Sequence, residues 1–205
     1  MVVIVYADGT EEIVKSSMAV EDGVIVSLEE DATVKVIDNS KDFVDVPEDS
    51  TFAEAIDYMT SHELMNGVGD GARFDGNAPT TRAMVWTIIG RGEDAGLYGA
   101  GVFDRAGEWA IENGVSDGAN PNGAVSRQQL AVMLWRAAGE PVSDQSLNSF
   151  NDSSNVADYA KMALAWVVEN NIMQGNNGNL NPAGNATRNH VAAMYMRYMQ
   201  TFAEV

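Results

Sequence analysis

"NLNPAGNATRN", residues 179–189, restates "ANPNGAVSRQQ", residues 119–129: each holds Asn-Pro, then a glycine, then a hydroxyl residue followed by arginine. Placing the arginines in register brings in a third copy, "RFDGNAPTTRAM" at residues 73–84. Arg82, Arg127 and Arg188 then share a column, with Asp75, Asn120 and Asn181 seven residues before it. Thr81, Ser126 and Thr187 stand one residue before, and Arg91, Arg136 and Arg197 nine after. Six of the eight arginines fall in these two columns, so the register is built into the sequence. The upstream segments 52–67, 103–118 and 160–175 align without a gap. There Tyr58, Trp109 and Trp166 share one column, and Ala55, Ala106 and Ala163 another.

Each copy predicts a first helix, a Gly/Asn-rich loop and a second helix. In the second helices the apolar residues fall at 85, 88 and 89, at 130, 133, 134 and 137, and at 191, 194, 195 and 198. That is helical spacing with one buried face. A two-helix unit cannot bury such a face alone, so three should pack around a shared core. The expected fold is mainly α: three tandem helix–loop–helix repeats packed as a pseudo-threefold helical bundle, with a small N-terminal β-meander. The β expectation comes from the Val- and Ile-rich run at 2–38, with hairpin turns at Asp8-Gly9 and Asp22-Gly23 and four or five short strands. So short a segment lacks a core of its own, and it either leans on the helices or ends a larger β domain. The expected boundaries are 1–42 for this appendage and 43–97, 98–140 and 141–205 for the repeats.

The formal net charge of −18 over 205 residues argues against nucleic-acid binding, which needs a basic surface. There is no cysteine, which excludes disulfides, thiolate metal sites and cysteine nucleophiles. No apolar run reaches the roughly 18 residues of a membrane span. The start "MVVIVYADGT" has no basic region or cleavage-like site, so the chain reads as intracellular or as the interior of a longer secreted protein.

Thr81, Ser126 and Thr187 are placed as helix N-caps. A capping box needs an acceptor side chain three residues on; Gln129 supplies one, whereas Met84 and His190 read as departures, leaving the box to the second repeat. An arginine directly after the cap opposes the helix dipole at a cost of roughly 0.3–1 kcal/mol, while Arg91, Arg136 and Arg197 sit where a cation is favoured. The first column therefore needs a partner. An internal carboxylate or loop carbonyl is one; an anionic ligand, held by the guanidinium fork and free N–H groups of the helix start, is the other. Tyr58, Trp109 and Trp166 fit either a core stripe or platforms for sugar rings. "GVGDG" at 67–71 lacks the Lys and Ser/Thr of a phosphate loop and reads as a turn. Asp70, Asp75 and the Asn-rich third loop do not match a calcium loop, and no metal is expected. His62 and His190 form no triad, and no carboxylate pair is marked out, so no enzymatic activity is expected. The eleven methionines read as core filler.

"FVDV" at 43–46, the aromatic column, "GVGDGARFDGNAPTTR" at 67–82 and the hydroxyl-Arg pair together resemble the S-layer homology domain, in three consecutive copies from residue 43 to the C-terminus. The resemblance implies a pseudo-threefold helical assembly that anchors an extracellular protein to the bacterial cell wall or S-layer. Its partner would be secondary cell wall polysaccharide attached to peptidoglycan, a polymer that in many relatives bears ketal-linked pyruvate. The implied polysaccharide-binding residues are Arg82, Arg127 and Arg188, with Asp70 and Gly71 in the first loop and Trp109 and Trp166 as ring platforms. No cofactor, nucleic acid or membrane insertion is implied. The family's usual Glu two residues after the arginine is Met84, Gln129 or His190 here. The second loop is shorter than the first by six residues, and its repeat lacks an opening "FVDV", so its groove departs furthest from the pattern. The alternative is a degenerate triplet that makes protein–protein or lattice contacts.

Overall fold

The computed structural model describes residues 1–20, 22–26 and 33–203. It is mainly helical with a small N-terminal β region. Strands β1 (Val2–Val5), β2 (Glu11–Ile13), β3 (Met18–Val20), β4 (Gly23–Ile25) and β5 (Thr33–Val36) precede all the α-helices. These are α1 (Ala53–Ser61), α2 (Arg82–Gly92), α3 (Val102–Glu112), α4 (Arg127–Ala137), α5 (Lys161–Glu169) and α6 (Arg188–Ala203).

The strands do not form a single meander. β1 is the middle strand of an antiparallel sheet ordered β2-β1-β5, and β3-β4 is a separate hairpin. Val3 pairs with Ile13 on one side and Lys35 on the other, so β1, which a meander would leave at an edge, fills the centre. Gly9, at φ +84°, closes the first turn, and the Asp8 carboxylate accepts from the Thr10 N–H at 2.9 Å. In the second hairpin Val20 pairs with Gly23, so that glycine opens β4 and lies outside the turn. The part of the expected β run at 27–32 lies outside the described residues.

The β region leans on α1. Val2, Val3 and Met18 are buried. Tyr58 Oη donates to the Lys15 carbonyl at 2.6 Å, and Lys15 Nζ donates to the His62 carbonyl at 2.9 Å. His62 Nε2 lies 3.0 Å from Ser17 Oγ, whose oxygen also accepts from the Val2 N–H.

The helices pack across the sequence repeats. α2 packs on α3, α4 on α5, and α6 returns to α1. Each second helix thus meets the first helix of the following copy, and the last copy closes on the first. The apolar faces read from the sequence fill one core: Ile89 of α2, Leu130 and Leu134 of α4 and Tyr195 of α6 are fully buried, with Trp86, Met59, Phe74, Leu164 and Leu180 around them. Burying each such leucine contributes roughly 1.5–3 kcal/mol. Met133, Met173, Met194 and Met199 are among the methionines that fill the spaces between.

Candidate functional site

The site is built where the three loops meet the starts of α2, α4 and α6. The residues two before each column arginine, Thr80, Val125 and Ala186, join in a closed circuit. Thr80 N–H donates to the Ala186 carbonyl at 3.0 Å, Ala186 N–H to Val125 at 2.8 Å, and Val125 N–H to Thr80 at 2.9 Å. Asp75, Asn120 and Asn181 turn each loop into this circuit at φ +55°, +51° and +51°, a left-handed conformation that Asn and Asp tolerate best after glycine. In the first and third loops a carboxylate from the start of the copy braces this turn. Asp45 accepts from the Phe74 and Asp75 N–H groups at 2.8 and 2.9 Å, and Asp152 from those of Leu180 and Asn181 at 2.8 and 2.7 Å. The second copy has no such aspartate, and Asp117 instead accepts from the Ala119 N–H at 3.0 Å.

The N–H groups at the helix starts are not free, which corrects the expectation that they face a ligand. Arg82 and Ala83 donate theirs to the Gly123 and Pro121 carbonyls, each at 3.0 Å. Arg127 and Gln128 donate to Gly184 and Pro182, each at 2.9 Å; Arg188 and Asn189 donate to Ala78 and Gly76, at 3.0 and 2.9 Å. The next N–H goes to the cap hydroxyl: Met84 to Thr81 at 3.3 Å, Gln129 to Ser126 at 3.3 Å and His190 to Thr187 at 3.4 Å. The capping box is also not confined to the second repeat. Ser126 N–H donates to Gln129 Oε1 at 2.8 Å, and Thr187 N–H donates to His190 Nδ1 at 3.2 Å. An imidazole nitrogen does the work of the missing carboxylate.

The column arginines find their partners in the loop of the following copy. Arg82 donates through Nε to the Ala119 carbonyl at 2.7 Å and through Nη2 to Ser116 Oγ and Asp117 Oδ1 at 2.9 and 2.6 Å. Arg127 donates through Nε to the Leu180 carbonyl at 2.8 Å and through Nη2 to that of Gln174 at 3.4 Å. Arg188 donates through Nε to Phe74 at 2.7 Å and through Nη2 to Asn66 at 2.6 Å, and lies 4.5 Å over the Phe74 ring. This favours the internal-partner reading of the column. Among the described residues none accepts from Nη1 of any of the three, so one edge of each fork remains open. Burial lowers the pKa of Arg127 and Arg188, opposed by Asp152 for the first and by Asp75 and Asp45 for the second. Asp117 is held below the usual carboxylate range by the Ala119 N–H, with the Arg82 guanidinium acting in the same sense.

Two of these arginines line clefts. A cleft of about 310 Å³ is bounded by Arg82, Ser116, Asp117, Gln129, Arg136 and Tyr159, over a floor that includes Val132 and Met133. A second, of about 510 Å³, lies between Arg127, Asp152, Asn176, Asn179, Asn181 and His190. The pKa of His190 is lowered, first by burial and then by Arg127.

The other expected residues scatter. Asp70 and Gly71 form an exposed turn in the first loop, where Gly71 at φ +89° donates to Val68 O at 2.9 Å and Asp70 accepts from the Ala72 N–H. Trp166 is only 6% exposed and stands edge-on to Tyr198, so it is a core residue with no ring face open to a sugar. Trp109 is half-buried over Gly90, where a side chain on that glycine would run into Leu97 and press on the Trp109 ring. The exposed aromatic at a cleft is Tyr159, and the second-column arginine facing it is Arg136. The matched column signalled Arg136; nothing periodic signalled Tyr159, which lies on a short 3-10 turn (Asp158–Ala160).

Loops that brace one another around paired arginines define a module of interlocked helical repeats. A family model described as S-layer homology domain matches residues 42–83 and 149–192. The chain is 25% identical over 173 residues to an amylopullulanase of Thermoanaerobacterium thermosulfurigenes, a match that covers 75% of this chain and 9% of that protein. It is 27% identical over 180 residues to the exoglucanase XynX of Acetivibrio thermocellus, covering 78% of this chain and 16% of that protein. The chain therefore spans a small part of the length of these two relatives. No helix among the described residues is long and apolar enough to cross a membrane.

Proposed function

We propose that the chain is a non-enzymatic anchor that binds secondary cell wall polysaccharide, attached to peptidoglycan, in the grooves between three S-layer homology repeats at 43–97, 98–140 and 141–205. In this reading the repeats form a pseudo-threefold assembly, residues 1–42 are an appendage, and the protein works outside the cell, at the wall. The observation that carries it is the open guanidinium edge of Arg82 and Arg188, which belong to the two segments matched by the family model, together with the open edge of Arg127 between them. A cation already fixed by neighbouring acceptors, two carbonyls each for Arg127 and Arg188, loses little freedom on meeting a carboxylate such as a pyruvate ketal. The Gly-rich loops, including Asp70 and Gly71, would add contacts beside it.

The test is sedimentation with sacculi from a panel of Gram-positive bacteria, before and after acid extraction of their secondary polymers. Binding that disappears on extraction, and that weakens in Arg127→Lys and Arg188→Lys variants with the folded circular dichroism spectrum retained, is the expected result. Binding to no wall in the panel, or binding indifferent to extraction, would sink the reading in favour of contacts between proteins.

A further inference from the structure

The β region joins the helical module through a narrow polar seam. Of the described side chains in residues 1–36, only Met18 enters the shared helical core, while Val2 and Val3 are buried outside it. The hydrogen bonds of the junction gather on the end of α1, around His62. Its Nδ1 lies 2.8 Å from the Tyr58 carbonyl, which can only accept, so the ring proton sits on that nitrogen. Nε2 is then a bare acceptor and takes the Ser17 O–H at 3.0 Å, while Ser17 Oγ accepts from the Val2 N–H. The Ser17 side chain is fully buried and has no further partner among the described residues. Lys15 Nζ, also buried, reaches the His62 carbonyl and stands 6.0 Å from the Tyr98 ring, with no carboxylate in ion-pair contact among the described residues.

We propose that this seam is an acid-released latch: a second proton on the His62 ring forces residues 1–36 off α1 while the helical module stays folded. The proton lands on Nε2 and faces the Ser17 hydroxyl, which must turn its own hydrogen away and finds no acceptor for it. It also sets a second buried cation beside Lys15. The charged groups that face the ring are the Met1 ammonium on β1 and Lys15 ahead of β3, and both oppose the proton. Lys15 is faced in turn by Glu12, Glu63, Arg91 and Asp94. Tyr58, from α1, has its pKa raised by burial and stays neutral. The Tyr58 and Ser17 carbonyls favour the charged ring, but burial outweighs them and holds its pKa at about 4. A released ring titrates near its ordinary value of about 6.5, so the latch holds above that pH and loosens as pH falls toward 4. Residues 37–42 have no regular structure and Phe43 is anchored in the core, which places the hinge between them. The small sheet cannot hold a core of its own once released, so it unravels. Acid thus turns a fixed junction into a flexible tether, whether or not the module is bound to a wall.

The experiment is amide hydrogen exchange of the full chain, read by NMR at pH 7 and pH 4.5, with each rate corrected for its intrinsic pH dependence. The Val2, Val14 and Ser17 amides report on the β region, and those of Arg127 and Ala186 on the helical module. Protection of the first set should fall about fiftyfold more than that of the second, the ratio set by ring values of about 4 latched and 6.5 released. His62→Gln keeps an acceptor for Ser17 and does not titrate in this range, so it should abolish the difference. If that variant is already released at pH 7, Lys15→Met decides: without the neighbouring ammonium the ring charges more easily in place, and the fall should shrink. Equal loss of protection in both sets of amides, or an undiminished fall in these variants, would overturn the latch. So would a His62 ring that titrates near pH 4 while the Val2 and Ser17 amides keep their protection.

Discussion

His62 and His190 are structural where sequence patterns invite a search for catalysis, and both tie the fold to pH. His62 is 4% exposed, its Nδ1–H directed at the Tyr58 carbonyl 2.8 Å away, which leaves Nε2 to accept from Ser17. Burial, with Lys15 among the neighbouring cations, lowers its pKa to about 4. His190 accepts the Thr187 N–H through Nδ1, a role that the imidazolium cannot fill, and its pKa is also lowered. With both folded values depressed, the unfolded chain takes up protons first as pH falls. The stability that these residues contribute is intact above an unfolded pKa of about 6.5 and drains as pH drops toward each folded value. For His62 that window reaches down to about 4 and amounts to roughly 3 kcal/mol. Urea unfolding across this range should show a stability loss in the wild type that His62→Asn makes shallower, even if the variant starts lower. Parallel pH profiles for the two proteins would refute the assignment. His190→Gln should remove a smaller share, because glutamine keeps an acceptor in the box.

At the scale of the element, the three second helices amount to one experiment performed three times. All three give their first two N–H groups to the next loop and the third to a cap hydroxyl. They differ in the fate of the cap's own N–H: that of Ser126 reaches Gln129 and that of Thr187 reaches His190, while that of Thr81 meets no acceptor among the described residues, because Met84 has none to offer. Met84 is half-buried, so a polar amide can be accommodated there. Met84→Gln should therefore stabilise α2, raising the urea midpoint by the equivalent of about 0.5–1 kcal/mol with an unchanged m-value. A midpoint that stays or falls would mean that the Thr81 N–H is already well hydrated. The caps, the apolar faces and the Asp/Asn column were legible in the sequence, because each is a local requirement that recurs three times. The histidine box was not, since a residue-type pattern hides the equivalence of an imidazole nitrogen and an amide oxygen. The aromatic column left a core stripe and a sugar platform both open, because helical spacing reports only that Trp166 faces something; its packing places it in the core.

The largest feature hidden from the sequence is which helix meets which. Periodicity marks the buried faces of α1 and α6 but carries no address, and the pairing of the last helix with the first is a contact between chain-distant elements. The order of the β strands is obscure for the same reason, as β1 pairs with both its neighbour and the distant β5. The closure has a polar clasp: Arg188 bonds the carbonyls of Phe74 and Asn66, 114 and 122 residues away. Loop closure of this length is entropically costly and must be repaid by contacts that form only when the ends meet. Losing the clasp should therefore cost more than losing its counterpart at Arg82, which spans 34–37 residues and bonds a carboxylate that is 71% exposed and easily rehydrated. Arg188→Ala should lower stability by about 2–4 kcal/mol, since removing the half-buried guanidinium leaves two carbonyls behind. Arg82→Ala should lower it by about 1–2 kcal/mol. Hydrogen exchange adds the spatial test: in Arg188→Ala the amides of Arg188 and Asn189, which bond the first loop, should exchange faster, while those of Arg127 and Gln128 keep their protection. Equal destabilisation by the two variants, with protection lost uniformly, would mean that the apolar α1–α6 contact closes the molecule by itself.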